Sequence, residues 1–513
     1  MNKFFKIIGA VAIINIVARM FGFLREMVIG MQYGSSYYAD SIFTAYTIPN
    51  FLYLAVGGAF TTAVISIYNR ENTNRPLFVK QSFTIVLFTT LILTAIMMFF
   101  ADSMLHVFDV GGEEKSEKIY VLAAKLYYWM MPSSVLLVLS SWYSGLLNLH
   151  DKFHLSSFAI LIYNAAFLII GVALSVVIGP FGYGVSALLS AVIMLFFLII
   201  GYRKLKSHPV GISFTHNLST KELWLMVLPL VIGGATIQFY ALLHRLFATG
   251  LGEGAISAVN YASRLMQFPQ AILITAVTTV IYPVLSRKEG ENDIEGIRSL
   301  YSKGLHYLLL LLLPVTVYSY FYSTNLIQVV FQYGQFNEQS TAMTAPVFAI
   351  FSLSMYFLAA NMYITRFYYA KGNSLAPVIY SIVNVIGINI FIMVYFTKEY
   401  GAMAIAWGTL ISSFTNYLML VLHARFKYKL KFGMFDPSAH YFRAWPPFIL
   451  ITLIVYLSST YLQFDNKFLT FFVGVAIFGS SLVALYWLFG IQEFKELVRK
   501  LLAKFGKSKK DNA

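Results

Sequence analysis

The stretch IIGAVAIINIVARMFGFLREMVIG (7–30) is almost wholly apolar, yet it carries Arg19, Arg25 and Glu26. About twenty apolar residues, rising 1.5 Å each, cross a hydrocarbon core ~30 Å thick, so the segment reads as a membrane-spanning helix. A guanidinium at mid-bilayer costs roughly 2.5–3.5 kcal/mol even on the lenient insertion scale, so arginines there face a protein interior or a wet cavity. Arg264 lies in the same way inside the apolar stretch 256–285. Counted inward from the outer helix ends, Arg19 is roughly 16 Å deep and Arg264 about 13 Å deep, in one layer. Fixed planar cations of this kind hold phosphate or pyrophosphate through paired hydrogen bonds. The pattern points to a membrane protein that moves something anionic.

Composition agrees. Mean hydropathy is +0.70, hydrophobic residues make up 58% and charged residues only 12%, about half the charged share of a soluble domain. Cysteine is absent, which excludes disulfides, thiolate metal sites and cysteine nucleophiles. The net charge of +15 does not indicate nucleic acid, because the basic residues sit in short loops that alternate along the chain.

The fold class this implies is an all-α integral membrane protein with fourteen spans. They lie near 7–30, 37–67, 81–101, 119–147, 155–178, 183–202, 222–249, 256–285, 304–322, 340–369, 375–396, 401–422, 444–462 and 468–490. Of the 37 Lys and Arg residues, 27 fall at the termini or after even-numbered spans. Only Lys115, Lys118, Lys398 and Lys467 fall on the other side. The positive-inside rule then puts both termini in the cytoplasm. Lys3 and Lys6 open the chain like a signal peptide, but the apolar run is too long and lacks a small-residue cleavage site, so an uncleaved first helix is expected. Segment 491–505 places Phe494, Leu497, Val498, Leu501, Leu502 and Phe505 on one face, as an interfacial helix would.

The chain repeats itself. A shift of 220 residues brings Arg25 onto Arg245, Gly30 onto Gly250, Pro49 onto Pro269 and Asn164 onto Asn384. Six spans fit in each shift, so the halves run in the same direction, the parallel-repeat pattern of some transporters. The expected organisation is a lobe over 1–202, a basic linker over 203–221 and a second lobe over 222–422. Two further spans with their preceding basic loop follow over 423–490, then an amphipathic basic tail over 491–513. Ser219 and Glu222 have the spacing of a capping box for the seventh span.

Other residues carry two readings each. Arg25, Glu26 and Asp40 share a depth near the outer ends of spans 1 and 2, which fits an Arg25–Asp40 salt bridge, a gate or a ligand contact. Arg245, Arg366 and Lys125 are near span ends, and snorkelling to the interface accounts for them. Pro49 and Pro269 lie mid-span, where they kink the helix or act as hinges. His150 and His154 are four apart but lack a third ligand, so no metal is expected. The outer loop 102–118 holds no catalytic constellation and no GxxxxGK[ST] loop occurs. Neither an enzyme nor a cofactor is indicated, and the membrane potential is left as an energy source.

The motifs ARMFGFLREMVIGMQYG (18–34), ADSIFTAYTIPNF (39–51), GGAFTTAVISIYNRE (57–71) and YASRLMQFP (261–269) resemble those of the MurJ/MviN lipid II flippases of the MATE-like (MOP) superfamily. FQYGQF (331–336) and TRFYYAKGNSLAP (365–377) extend the resemblance across the first twelve spans. It implies two six-helix lobes around a cavity, with a last helix pair lining a groove for a lipid tail. The implied activity is flipping of undecaprenyl-pyrophosphate-linked cell-wall precursor to the outer leaflet of the bacterial inner membrane. Partners would be that lipid, membrane lipids and other cell-wall synthesis or division proteins. The family's cavity arginines match Arg19, Arg25 and Arg264, and its acidic residues match Glu26 and Asp40. Tyr53 and Gln267 stand where many relatives carry charge, and Gln238, Asn384 and Ile388 occupy a region where some relatives bind sodium. A flippase for another polyprenyl-linked glycan, or a MATE-type drug/cation antiporter, is the alternative. The antiporter would need buried carboxylates for exchange.

Overall fold

The structure is a computed structural model that describes residues 3–70, 74–106, 114–215, 217–431, 444–492 and 494–495. Most of the tail read as an interfacial helix lies outside the described residues. Among them no strand occurs. In a bilayer every backbone N–H and C=O must be satisfied within the chain, which a helix does alone. Helical hydroxyls follow the same rule: Thr44, Thr47 and Thr90 each donate to the carbonyl four residues back, at 2.7–2.8 Å.

The first half comprises α1 (Lys3–Tyr33), α2 (Tyr37–Leu52), α3 (Gly58–Tyr68), α4 (Arg75–Phe99), α5 (Ala101–His106) and α6 (Glu114–Met130). It continues through α7 (Ser133–Leu149), α8 (Phe153–Ile178), α9 (Phe181–Arg203), α10 (Leu218–Thr249) and α11 (Ala255–Gly290). The second half holds α12 (Ile294–Phe321), α13 (Ser323–Phe331), α14 (Glu338–Leu353), α15 (Met355–Ala370) and α16 (Leu375–Ile382). It ends with α17 (Asn389–Tyr400), α18 (Ala402–Tyr428), α19 (Trp445–Tyr461) and α20 (Lys467–Leu488). Each of the fourteen apolar stretches falls on one of these helices or on a pair. Among the described residues, eight helices are long and apolar enough to cross a membrane, or ten if each of two bent pairs counts as one span.

Four stretches are less regular than their hydropathy implies. The fourth bends by 43° between α6 and α7, at Pro132, which has no N–H to continue the ladder. The tenth bends by 41° between α14 and α15, where the Ser354 hydroxyl donates to the Phe351 carbonyl at 2.6 Å. The eleventh passes through a π-helical turn at Val383–Ile388. A second π-helical turn, Tyr53–Gly57, joins α2 to α3, so that Tyr37–Tyr68 forms a single 32-residue span with Pro49 inside it.

The chain forms two compact units, one of residues 1–264, 333–343 and 385–405, the other of residues 265–332, 344–384 and 406–513. In the first, α8 packs along α1 and α9, while α7 packs on α3, α4 and α9. In the second, α12 packs on α15 and α19, and α19 on α20; Tyr486 donates to the Leu310 carbonyl at 2.9 Å, tying α20 to α12.

The linker before α10 is bound to the first unit. Gln81 donates to the Thr215 carbonyl at 2.6 Å, the Ser213 amide donates to Thr84 Oγ1 at 2.8 Å, and His150 Nε2 is 2.9 Å from Ser207 Oγ. The capping box of α10 begins two residues earlier than Ser219 and Glu222 imply. Asn217 is the cap: its side chain accepts from the Thr220 amide at 3.1 Å, and Thr220 Oγ1 accepts from the Asn217 amide at 3.1 Å. Asn caps as well as Ser does, and Glu222 is instead paired with Arg70 at 2.5 Å.

Segment 333–337 closes on the end of α1. Gln335 N donates to the Met31 carbonyl at 2.9 Å, and Gly34 and Gly334 both have φ of +58°. A Cβ on Gly334 would run into the Met31 carbonyl, and one on Gly34 into the Gln335 carbonyl. Gly334→Ala is therefore expected to destabilise the protein by about 2 kcal/mol, from strain plus a backbone clash. Thermal unfolding of the purified protein measures it; an unchanged midpoint would show that the segment is not held this way.

Candidate functional site

Arg25 lies two-thirds of the way along α1, with its stem directed back toward the N-terminus as helical side chains are. That direction carries the guanidinium onto the aromatic rings of Phe167 and Tyr46, at 4.5 and 5.1 Å from their centroids. The Tyr46 and Tyr163 hydroxyls are 2.9 Å apart and fix this cradle between α2 and α8. Arg25 Nη2 donates to Glu26 Oε1 at 3.0 Å. Glu26 is itself only 3% exposed and is the hub of the cluster. Its other oxygen accepts from Asn260 Nδ2 at 2.9 Å, and Arg264 Nε is 3.8 Å from Oε1. Asn260 and Arg264 are four apart on α11 and so share a face.

Arg245 joins the same cluster. It is 9% exposed, its Nη2 donates to Asn260 Oδ1 at 3.2 Å, and it lies over the Phe43 ring at 5.4 Å. Snorkelling, the reading its position near a span end favoured, is not what it does: the partner Asn260 and the ring hold it inside. Three guanidiniums therefore converge on one carboxylate and one amide. Arg25 Nη1 and Arg245 Nη1 are both buried without a hydrogen-bond partner. Arg264 keeps 37% of its side chain exposed and is the accessible cation of the group.

Asp40 does something different from the pairing with Arg25 that equal depth implies. It is fully buried in the first turn of α2, where Oδ2 accepts from Gly254 N and Oδ1 from Ser257 N, both at 2.7 Å. It caps the N-terminus of α11, whose first amides lack partners of their own. Glu253 returns the contact by accepting from the Tyr37 amide of α2 at 3.1 Å. Tyr261 donates to the Gly34 carbonyl at 3.0 Å and packs edge-on to Phe336, so the same end of the unit is closed by backbone as well as by charge.

The remaining candidates are placed as follows. Arg19 is exposed on α1, about 10 Å along the axis from Glu26, and is outside the hydrogen-bonded cluster. Tyr53 opens the π-helical turn after α2. Gln267 and Pro269 continue α11 into the second unit, and Arg366 lies there on α15. Asn384 donates to the Tyr380 carbonyl at 2.7 Å and bonds to Thr415. Asn260 and the Phe167–Tyr46–Tyr163 cradle were not anticipated. Asn260 was within reach of a helical-face reading from Arg264; the cradle, assembled from separate helices, was not.

Comparison with known proteins bears on this geometry. The probable lipid II flippase MurJ of Rickettsia prowazekii (strain Madrid E) is 26% identical over 430 residues, covering 82% of this chain and 83% of the relative. The lipid II flippase MurJ of Burkholderia cenocepacia is 25% identical over 454 residues, covering 86% of each. A solved structure of lipid II flippase MurJ in an inward closed conformation has a TM-score of 0.82, with 22% identity over 95% of this chain and 99% of that one. An inward-facing multidrug resistance MATE transporter of the MOP superfamily follows at 0.68, with 14% identity over 83% of this chain and 100% of that one. These two likenesses establish the fold. The family model for lipid II flippase MurJ matches residues 31–480; the chain belongs to that family, one of multi-span membrane transporters rather than of catalysts.

Proposed function

We propose that this chain carries lipid II from the inner to the outer leaflet of the bacterial inner membrane, holding its pyrophosphate with Arg19, Arg25 and Arg264. One observation carries the reading: guanidinium exceeds carboxylate around Glu26, where Arg25, Arg245 and Arg264 converge and two Nη1 atoms are unbonded. A drug/cation antiporter would need the opposite balance. Another polyprenyl-pyrophosphate glycan would satisfy the same cations, but the family match favours lipid II. Both termini are taken as cytoplasmic, from the loop charges, with fourteen crossings and lobes over 1–202 and 222–422. Alternating access would then expose the arginines first inward, then outward, with Pro49 and Pro269 as hinges. No catalytic step or cofactor is part of the cycle, and other cell-wall synthesis proteins are its proposed neighbours. The test is complementation. In cells depleted of their lipid II flippase, expression of this chain should restore growth and outer-leaflet lipid II; growth without outer-leaflet lipid II would overturn the assignment.

The driving force follows from the charge. Lipid II leaves a negative interior as an anion, so each net charge crossing the whole field gains about 2.3 kcal/mol per 100 mV. Arginines that travelled with the substrate would reduce this gain. The membrane potential is expected to assist transport by biasing the inward- and outward-open states. Collapsing it with valinomycin and potassium at constant pH gradient should slow the appearance of lipid II outside. Unchanged flipping, together with loss on collapsing a proton or sodium gradient, would assign the energy to ion coupling instead.

A further inference from the structure

A cavity of about 280 Å³ opens in the first unit, walled by α1, the π-helical turn Tyr53–Gly57 with α3, α7 and the start of α8. None of its lining residues is charged. It is therefore unsuited to a phosphate, yet it is far from apolar: Asn15, Tyr53, Ser141, Ser144, Asn148 and Ser157 all line it. Two hydrogen bonds fix the walls. Thr61 Oγ1 donates to the Ser141 carbonyl at 2.9 Å, joining α3 to α7, and Ser156 Oγ donates to Asn148 Oδ1 at 2.9 Å, joining α8 to α7. The second bond occupies the Asn148 oxygen and leaves its NH₂ for the cavity. The side chains of Asn15, Tyr53, Ser141, Ser144 and Ser157 make no hydrogen bond among the described residues, so amide and hydroxyl groups of both polarities are available.

The placement of this cavity is specific. Val11 and Asn15 line it, and Arg19 continues their stripe at the next i+4 step, about 6 Å further along α1. The π-helical turn inserts one residue into an otherwise continuous span just where Tyr53 enters the lining; such turns re-aim side chains and occur often at functional sites. Phe153 and Tyr53 add ring faces to the polar groups. Its volume is at the small end of ligand pockets, ~300–1,000 Å³, so it has room for about one ring and not for a whole head group.

We propose that this cavity is a subsite for a neutral sugar ring bearing hydroxyl and amide groups, the one attached to the pyrophosphate that Arg19 contacts. The inference rests on the lipid II reading and adds to it a contact that distinguishes the glycan-bearing lipid from the bare carrier. Asn15 and Tyr53 are its specificity-determining residues.

The test measures binding of two probes, lipid II and undecaprenyl pyrophosphate, to the purified full-length protein. Asn15→Leu should weaken lipid II about tenfold, as expected for one or two lost hydrogen bonds, and leave undecaprenyl pyrophosphate unchanged. Tyr53→Phe, which removes a single hydroxyl and little volume, should act in the same direction by a few-fold. Lipid II binding at the parental level in both variants overturns the subsite, as does equal weakening of both lipids. Failure of the parent protein to bind either lipid overturns the flippase reading itself, a result separate from the other two.

Discussion

Arg264→Ala combined with Arg19→Ala should abolish flipping, a loss of at least a hundredfold, while the protein still inserts and folds. Hydrogen bonds to charged groups contribute about 1.5–3 kcal/mol each, and two such losses at a pyrophosphate multiply. Arg264 can be removed without collapse. It is part-exposed and 3.8 Å from Glu26, which keeps Arg25 and Asn260 as partners. Arg19 is exposed and stands outside the cluster. Lysine at either position should rescue poorly, because a point charge cannot hold two phosphate oxygens as a planar fork does. Arg25→Ala is a different experiment: it strips a buried carboxylate of its closest cation, a change of about 3–5 kcal/mol that appears as lost folding. The measurement is lipid II appearing outside, normalised to protein in the membrane. Parental transport by the double variant would remove the pyrophosphate from this site.

These contrasts mark how far the sequence could be read. Hydrophobic length put an apolar stretch on every membrane-length helix or bent pair among the described residues, because an apolar run in lipid has helix as its low-energy form, but it read the pairs as single spans. The bend at Pro132 went unread inside the single span 119–147, although the missing N–H is a signal for it, whereas that at Ser354 depends on a hydroxyl competing for a carbonyl and leaves no pattern. Depth arithmetic put Arg25 and Asp40 side by side. Depth, however, compares Cα heights, and side-chain direction sends one to the Phe167 ring and the other to the amides of Gly254 and Ser257. Backbone N–H groups are carried by every non-proline residue, so no sequence signal named them as Asp40's partners. Arg245 was misread for a related reason, since its enclosure depends on Asn260, fifteen residues on.

Asp40 yields the second large effect. Its carboxylate accepts from two buried amides at the start of α11. Asp40→Ala would leave both without a partner, each at about 1–3 kcal/mol, and would remove an anion from a helix N-terminus. Those amides can recover partners only if water reaches them, so the substitution favours a state in which this end is open. A shift of about 3 kcal/mol corresponds to more than a hundredfold in the ratio of open to closed states. The parent chain has no cysteine, so a single Cys at Ser257, buried beside Asp40, reports the opening directly. A membrane-impermeant maleimide should label Ser257→Cys slowly in the parent background and at least tenfold faster with Asp40→Ala. Asp40→Asn, which keeps one accepting oxygen, should fall between. An Arg25–Asp40 charge swap should restore nothing, because the two side chains have separate partners. Restoration by the swap, or equal labelling in all three backgrounds, would show that the cap on α11 does not hold this end closed.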